Sequence, residues 1–124
     1  MLKSLAVLAV LTLSSSALAA AAVPFDADND GTVDSTEAQT AAGAAFDKLD
    51  ADHDGTLDAK ELKGRIAKKD WATADPDNDK TVSRDEYLAY AGTLFKAADK
   101  DSEGTLDAKE LRSPAGRKLQ KLLK

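Results

Sequence analysis

The chain has 124 residues, of which 31% are charged, and a formal net charge of −5. This length fits one small domain. The negative charge argues against nucleic acid and anionic membrane surfaces as partners. The chain has no cysteine, so neither disulfides nor a thiol site supports its fold.

Residues 1–19 have the pattern of a secretory signal peptide. Lys3 is a short basic region, an apolar run follows over 5–13, and Ala17-Leu18-Ala19 is an A-x-A cleavage site. The apolar run is too short to span a bilayer. We therefore expect a protein exported to the periplasm, without a membrane span, whose single domain covers 20–124.

Four twelve-residue segments share one acidic pattern, and we call them loops 1 to 4. They cover residues 26–37, 50–61, 75–86 and 99–110. Loop 2 shows the pattern in full: D-x-D-x-D-G, an Asp at position nine and a closing Glu at position twelve. These spacings are those of an EF-hand calcium loop, in which the glycine supplies a positive φ. Of the 22 Asp and Glu residues, 20 lie in the loops, which a merely solvated acidic face would not explain.

The predicted metal ligands occupy positions one, three, five, seven, nine and twelve of each loop, and position seven contributes its backbone carbonyl. They are Asp26, Asp28, Asp30, Thr32, Asp34, Glu37, Asp50, Asp52, Asp54, Thr56, Asp58, Glu61, Asp75, Asp77, Asp79, Thr81, Ser83, Glu86, Asp99, Asp101, Glu103, Thr105, Asp107 and Glu110. Hard oxygen ligands favour Ca²⁺ or trivalent lanthanide ions, up to four per chain, over copper or zinc. Because the carboxylates repel one another, we expect metal to fold the chain. Lys80 replaces the position-six glycine, which predicts that loop 3 is the weakest site.

Helices are predicted in the three segments that connect one loop to the next. Apolar residues follow one helical face in Ser35–Leu49 and in Arg84–Ala98, and less regularly in Ala59–Ala74. Only 12 or 13 residues separate one loop from the next, which suits a single helix shared by two loops.

A final basic helix is predicted over Ala115–Leu123. Ser113 and Pro114 supply an N-cap and a proline in the first turn. The helix would bury three leucines against the core, and a partner-binding role for its basic side stays open. The aromatic residues four positions before loops 2, 3 and 4 are expected to stack in the core; they are Phe46, Trp71 and Phe95.

The sequence thus predicts an all-α fold, a compact three-helix bundle with the four metal loops at its periphery. Shared helices would place consecutive loops at opposite ends, so we expect loop 1 to pair with loop 3 and loop 2 with loop 4. The repeat GTLDAKEL at 55–62 and 104–111 agrees with this arrangement. The expected position-eight contacts are Val33 with Val82 and Leu57 with Leu106.

The whole of 20–124 resembles the lanmodulins, small periplasmic EF-hand proteins that bind lanthanides. The resemblance rests on the short joints and on AAFDKLDADHDGTLDAKELKGR (44–65), DPDND (75–79), DEYLA (85–89), SPAG (113–116) and the position-nine aspartates. It implies a three-helix bundle with peripheral metal loops and selective lanthanide binding. Proline at position two, typical of that family, occurs only in loop 3, as Pro76.

These observations predict a monomeric metal buffer, carrier or sensor, with a periplasmic protein partner left open. The alternative is a calcium-ordered docking module similar to dockerins, whose D-x-D-x-D-G loops have similar spacing. Dockerin repeats usually come in twos and close with Asp, whereas all four loops here close with Glu. No enzyme is expected, because the chain has one His, no Cys and no acid pair outside the loops.

Overall fold

Two long helices, α1 (Ser35–Leu49) and α4 (Arg84–Ala98), frame the computed structural model, which describes residues 23–124. Both have the bounds that the apolar periodicity predicted. Each begins directly after position nine of a loop, where a side-chain oxygen caps the first turn. Each ends at the aspartate that opens the next loop. The predicted signal peptide, 1–19, lies outside the described residues.

The remaining elements are short, and the described chain is mostly helical. They are β1 (Val33–Asp34), β2 (Thr56–Leu57), α2 (Ala59–Leu62), a 3₁₀ turn (Lys68–Asp70), α3 (Trp71–Ala74), β3 (Val82–Ser83), β4 (Thr105–Leu106), α5 (Ala108–Leu111) and α6 (Pro114–Leu123). None of the helices within 23–124 has the length and apolarity needed to cross a bilayer.

The joint between loops 2 and 3 is not the single shared helix that the sequence predicted. α2 stops after Leu62, because Lys63 (φ 52°) and Gly64 (φ 81°) both adopt the left-handed conformation. Two such residues cannot continue a right-handed helix. The chain then buries Ile66, makes the 3₁₀ turn and enters α3. The joint therefore folds back on itself instead of crossing the length of the core.

This fold-back makes the predicted loop pairing wrong. β1 pairs antiparallel with β4, and β2 pairs antiparallel with β3. Val33 therefore faces Leu106, and Leu57 faces Val82. Loops 1 and 4 share one end of the core, and loops 2 and 3 share the other. Only α1 and α4 run from one end to the other, as the shared-helix argument requires.

The core lies between α1, α4 and α6, which pack against one another. All four position-eight residues are fully buried, so each strand is anchored to this core. The rings of Phe46 and Tyr87 meet edge to face, with centroids 5.7 Å apart. Trp71 is only half-buried at the margin of the core, so it does not take the central place predicted for it.

α6 closes the core as predicted, with Leu119, Leu122 and Leu123 buried. Ser113 caps its first turn by accepting a hydrogen bond from the Gly116 N–H at 3.1 Å. The buried hydroxyl of Tyr87 donates to the Leu122 carbonyl at 2.6 Å, and burial raises the pKa of that phenol to about 12. These contacts hold α6 on α4.

At Gly116, α6 packs directly against the backbone of α5. A methyl group placed there would lie 2.3 Å from the Glu110 carbonyl oxygen, so the helix would have to shift. We expect Gly116→Ala to lower the free energy of unfolding by about 1–3 kcal/mol, measured by thermal unfolding with metal present.

Gly92→Ala is the matched control for this substitution. Gly92 also lies in a helix, and its nearest neighbour would be the Gln39 amide nitrogen at 3.7 Å. We expect this control to be neutral, or to stabilise by up to about 1 kcal/mol through helix propensity. Equal losses in both variants would contradict the packing argument.

Candidate metal centres

Each of the four loops gathers carboxylates into one cluster whose ligand oxygens lie within 4.8 Å of one another. Loops 2 and 3 bring together positions one, three, five and twelve, and loops 1 and 4 bring together positions one, three and twelve. The clusters are Asp50, Asp52, Asp54 and Glu61; Asp75, Asp77, Asp79 and Glu86; Asp26, Asp28 and Glu37; and Asp99, Asp101 and Glu110. Oxygens spaced in this way can share one ion that binds each at about 2.3–2.6 Å.

The first aspartate of each loop shapes the turn. In loop 2, Asp50 is 7% exposed and accepts hydrogen bonds from the N–H groups of Asp54 (3.2 Å) and Gly55 (3.0 Å). In loop 3, Asp75 is 3% exposed and accepts from the Lys80 N–H at 2.8 Å. A buried carboxylate needs such donors, so the loop backbone wraps around this group.

The closing glutamate of each loop also starts a helix. In loop 2, the Glu61 N–H donates to Asp58 at 2.8 Å, and the Asp58 N–H donates back to the Glu61 carboxylate at 3.2 Å. The same reciprocal capping box occurs in the other three loops. The position-nine ligands predicted from sequence all cap helices; they are Asp34, Asp58, Ser83 and Asp107. The three aspartates among them lie outside the carboxylate clusters.

The position-seven threonines bond to the position-five carboxylates. Their hydroxyls donate to Asp30, Asp54, Asp79 and Glu103 at distances of 2.9, 3.1, 2.9 and 3.5 Å in loops 1 to 4. Two of these acceptors, Asp30 and Glu103, do not join the clusters of their loops. This use of the threonine side chain was not predicted from the sequence.

The two ends of the core differ in what holds the closing glutamate. Glu37 accepts the position-two N–H of Ala27 at 2.8 Å, and Glu110 accepts that of Lys100 at 3.1 Å. In loop 3, position two is Pro76, which has no N–H to donate. In loop 2, the corresponding N–H donates to the Leu49 carbonyl instead. An ion in loop 1 or 4 therefore competes for its glutamate with this position-two donor as well as with the capping-box N–H that all four loops share.

The position-three aspartates of loops 1, 2 and 3 have a raised pKa, so they hold protons more tightly than free carboxyls. A hydrogen bond shared with the position-one aspartate raises the pKa of Asp28 and of Asp77 to about 6. Loss of solvation among neighbouring carboxylates raises the pKa of Asp52 to about 6. The position-five aspartates shift the other way, because backbone N–H donors of the threonines lower their pKa; these are Asp30, Asp54 and Asp79.

Two positions of every loop take a left-handed backbone. Position four does so with φ between 55° and 59°, at Asn29, His53, Asn78 and Ser102. Position six has glycine in loops 1, 2 and 4, whereas Lys80 takes φ 69° in loop 3. The strain predicted at Lys80 is therefore present. The left-handed position four was missed, although asparagine in two loops is a signal for it.

A family model described as "EF hand" matches residues 43–66 and 92–113. The first segment contains loop 2, and the second contains loop 4. The comparison with curated proteins finds no match. Together with the acidic clusters, the two matched segments support an EF-hand protein that binds metal ions.

Lys80→Gly tests whether backbone strain limits loop 3. Glycine removes a left-handed penalty of about 1–2 kcal/mol, so the ion affinity of loop 3 should rise roughly tenfold. Lys80→Ala is the control, because it removes the charge but keeps the strain. Titration followed by NMR at each loop measures the effect. An equal gain in both variants would assign it to charge.

Glu61→Gln tests the observed pairing of loops 2 and 3. The strands β2 and β3 are ordered together, so weakening loop 2 should also weaken loop 3 more than loops 1 and 4. Glu110→Gln is the symmetric control and should weaken loop 1 as well as loop 4. Titration at each loop would contradict the pairing if the Glu61→Gln loss reached loop 4 instead.

The raised pKa values predict that acid stabilises the metal-free fold. A carboxyl with pKa about 6 in the folded state and about 4 when unfolded adds stability below pH 4, and loses it as pH rises through 6. Circular dichroism of metal-free protein should therefore show more helix at pH 5 than at pH 7. Replacing Asp28, Asp52 and Asp77 together by Asn should flatten this dependence. Equal helix at both pH values in the unmodified protein would contradict it.

Proposed function

We propose that this protein is an exported EF-hand protein that binds up to four calcium or trivalent lanthanide ions and folds on binding. It acts as a buffer, carrier or sensor of these ions rather than as an enzyme. The observation that carries the proposal is the set of four carboxylate clusters, each ending in a glutamate that also starts a helix. An ion held by such a cluster would fix the first turn of that helix.

The donor chemistry fits a hard cation. The clusters offer only carboxylate oxygens, and no nitrogen or sulfur ligand joins them in the described residues. Three or four carboxylates per cluster exceed the charge of one divalent ion. A trivalent ion of similar size would neutralise more of the repulsion among them, which favours lanthanides over calcium.

Competition between La³⁺ and Ca²⁺ tests the choice of ion. Trp71 lies beside loop 3, where it lines a cleft with Asp75, Asn78 and Lys80. Its fluorescence should respond to an ion in that loop. We expect La³⁺ to displace Ca²⁺ well below equal concentration. Displacement of La³⁺ by equimolar Ca²⁺ would overturn the lanthanide preference and leave calcium as the ion.

Circular dichroism tests whether the protein binds and folds. Metal-free protein at pH 7 should gain helix when either ion is added. The control replaces all four closing glutamates by glutamine and should gain little; these are Glu37, Glu61, Glu86 and Glu110. A metal-free spectrum that neither ion changes would overturn the proposed function. Fractionation of cells that express the full chain tests export separately, with a periplasmic product shortened by the signal peptide as the expected result.

A further inference from the structure

Nine of the 17 lysines and arginines of the chain lie in two segments that contain almost no acid. Residues 63–70 carry four cations and one acid, and residues 112–124 carry five cations and none. The net charge of −5 hides this separation, because 20 of the 22 acids lie in the loops.

The fold brings the two basic segments side by side. The Lys118 ammonium lies 3.0 Å from the carboxylate of Asp70, at the end of the first segment. This ion pair joins the two segments, and we call their joint exposed area the basic surface.

The outer face of α6 carries cations from Arg117 onward, and Lys124 continues this row directly after the helix. Arg117, Lys121 and Lys124 are exposed and follow one another at helical spacing. The opposite face is occupied, since its leucines are buried in the core. Lys68 and Lys69 are exposed on the neighbouring segment. An occupant of the basic surface would therefore be recognised by charge and not by apolar burial.

The ions would decide how strongly this surface attracts an anion. Without metal, the loop carboxylates at both ends of the core oppose the attraction, since their field extends over about a Debye length. Four divalent ions would change the formal charge of the chain from −5 to +3, and four trivalent ions would change it to +7. The negative charge of the metal-free chain disfavours anionic membranes, whereas the loaded protein has a positive net charge and is attracted to them.

We propose that the metal-loaded protein docks its basic surface on anionic phospholipid headgroups. The three exposed cations of α6 stand on a convex helix face, and two of them are lysines, which act as flexible point charges and not as rigid bidentate donors. Such an array suits the many phosphates of a flat surface better than a shaped acidic site. Clusters of four to eight basic residues on an amphipathic helix are typical of binding to anionic lipid. The metal dependence rests on the proposed function; the surface itself does not.

Co-sedimentation with vesicles tests the proposal. The protein is mixed beforehand with four equivalents of La³⁺, and the vesicles are equal parts phosphatidylglycerol and phosphatidylcholine or phosphatidylcholine alone. We expect binding to the anionic vesicles only, weaker binding after metal removal, and loss of binding as salt rises.

Two triple variants with equal charge change identify the surface. Replacing Arg117, Lys121 and Lys124 by Gln should weaken binding at least roughly tenfold. The control replaces three exposed cations elsewhere, Lys48, Lys96 and Lys109, by Gln and should change binding less than about twofold. Metal titration of both variants by Trp71 fluorescence should match the unmodified protein.

Each remaining outcome decides against some part of the proposal. Equal loss in both variants would reduce the effect to net charge, and full binding by the first variant would indicate ions bridging the loops to lipid. Binding to acidic polypeptide but not to anionic vesicles would replace the lipid with a protein partner. If the titration shows no bound metal, the proposed function fails. The same two variants, compared at low ionic strength, then still decide whether the basic surface binds lipid.

Discussion

The structure depends on one group with two uses, the closing glutamate of each loop. Its carboxylate belongs to the carboxylate cluster of the loop. Its N–H and its carboxylate also complete the capping box that starts the next helix. Carboxylates near a helix N-terminus are favoured by the helix dipole, whereas a bare cation there is not. The acids therefore stabilise the helix starts even without an ion, and they supply the negative charge that lets an ion bind at that end. Ion binding and helix formation are thus linked at the same atoms.

The two long helices extend this link across the molecule. α1 runs from loop 1 to loop 2, and α4 runs back from loop 3 to loop 4, each over 15 residues. The salt bridge of Arg84 with Asp47 joins them, with the guanidinium 5.8 Å from the Phe46 ring centre. Gly43 leaves the space that this arginine occupies. The two pairs of loops are thus joined by two helices that pack against each other.

Local features were predictable from the sequence, and the path of the chain was not. α1, α4 and α6 follow from apolar spacing and from caps such as Ser113, because these signals lie within a few residues of the structure that they specify. The prediction for the joint between loops 2 and 3 was wrong because it relied on length alone, and the length of this joint is compatible with a single helix. The irregular apolar spacing of Ala59–Ala74 agrees with the break that the structure shows there, but the left-handed conformation of Lys63 had no signal in the sequence, since lysine seldom adopts it. One turn at this joint then exchanged the partners of all four loops.

The candidate sites show the same limit. Spacing alone identified the carboxylates at positions one, three and twelve, which the structure brings together in every loop. It could not show that position nine caps a helix, or that Glu37 and Glu110 accept a backbone N–H across their loops. These hydrogen bonds depend on where the backbone N–H groups lie after folding, and the residue types alone do not give those positions.

Charge placement follows from the same division of the acids. Asp47 and Asp70 are the acids outside the loops, and the structure pairs them with Arg84 and Lys118. Both pairs are partly exposed, so each contributes only about 0–1 kcal/mol to stability. They instead fix how elements of the fold lie against each other. One pair joins α1 to α4, and the other joins α6 to the joint between loops 2 and 3. When ions neutralise the loops, the charges that remain uncompensated are basic, and the largest group of them lies in the two segments that this second pair joins.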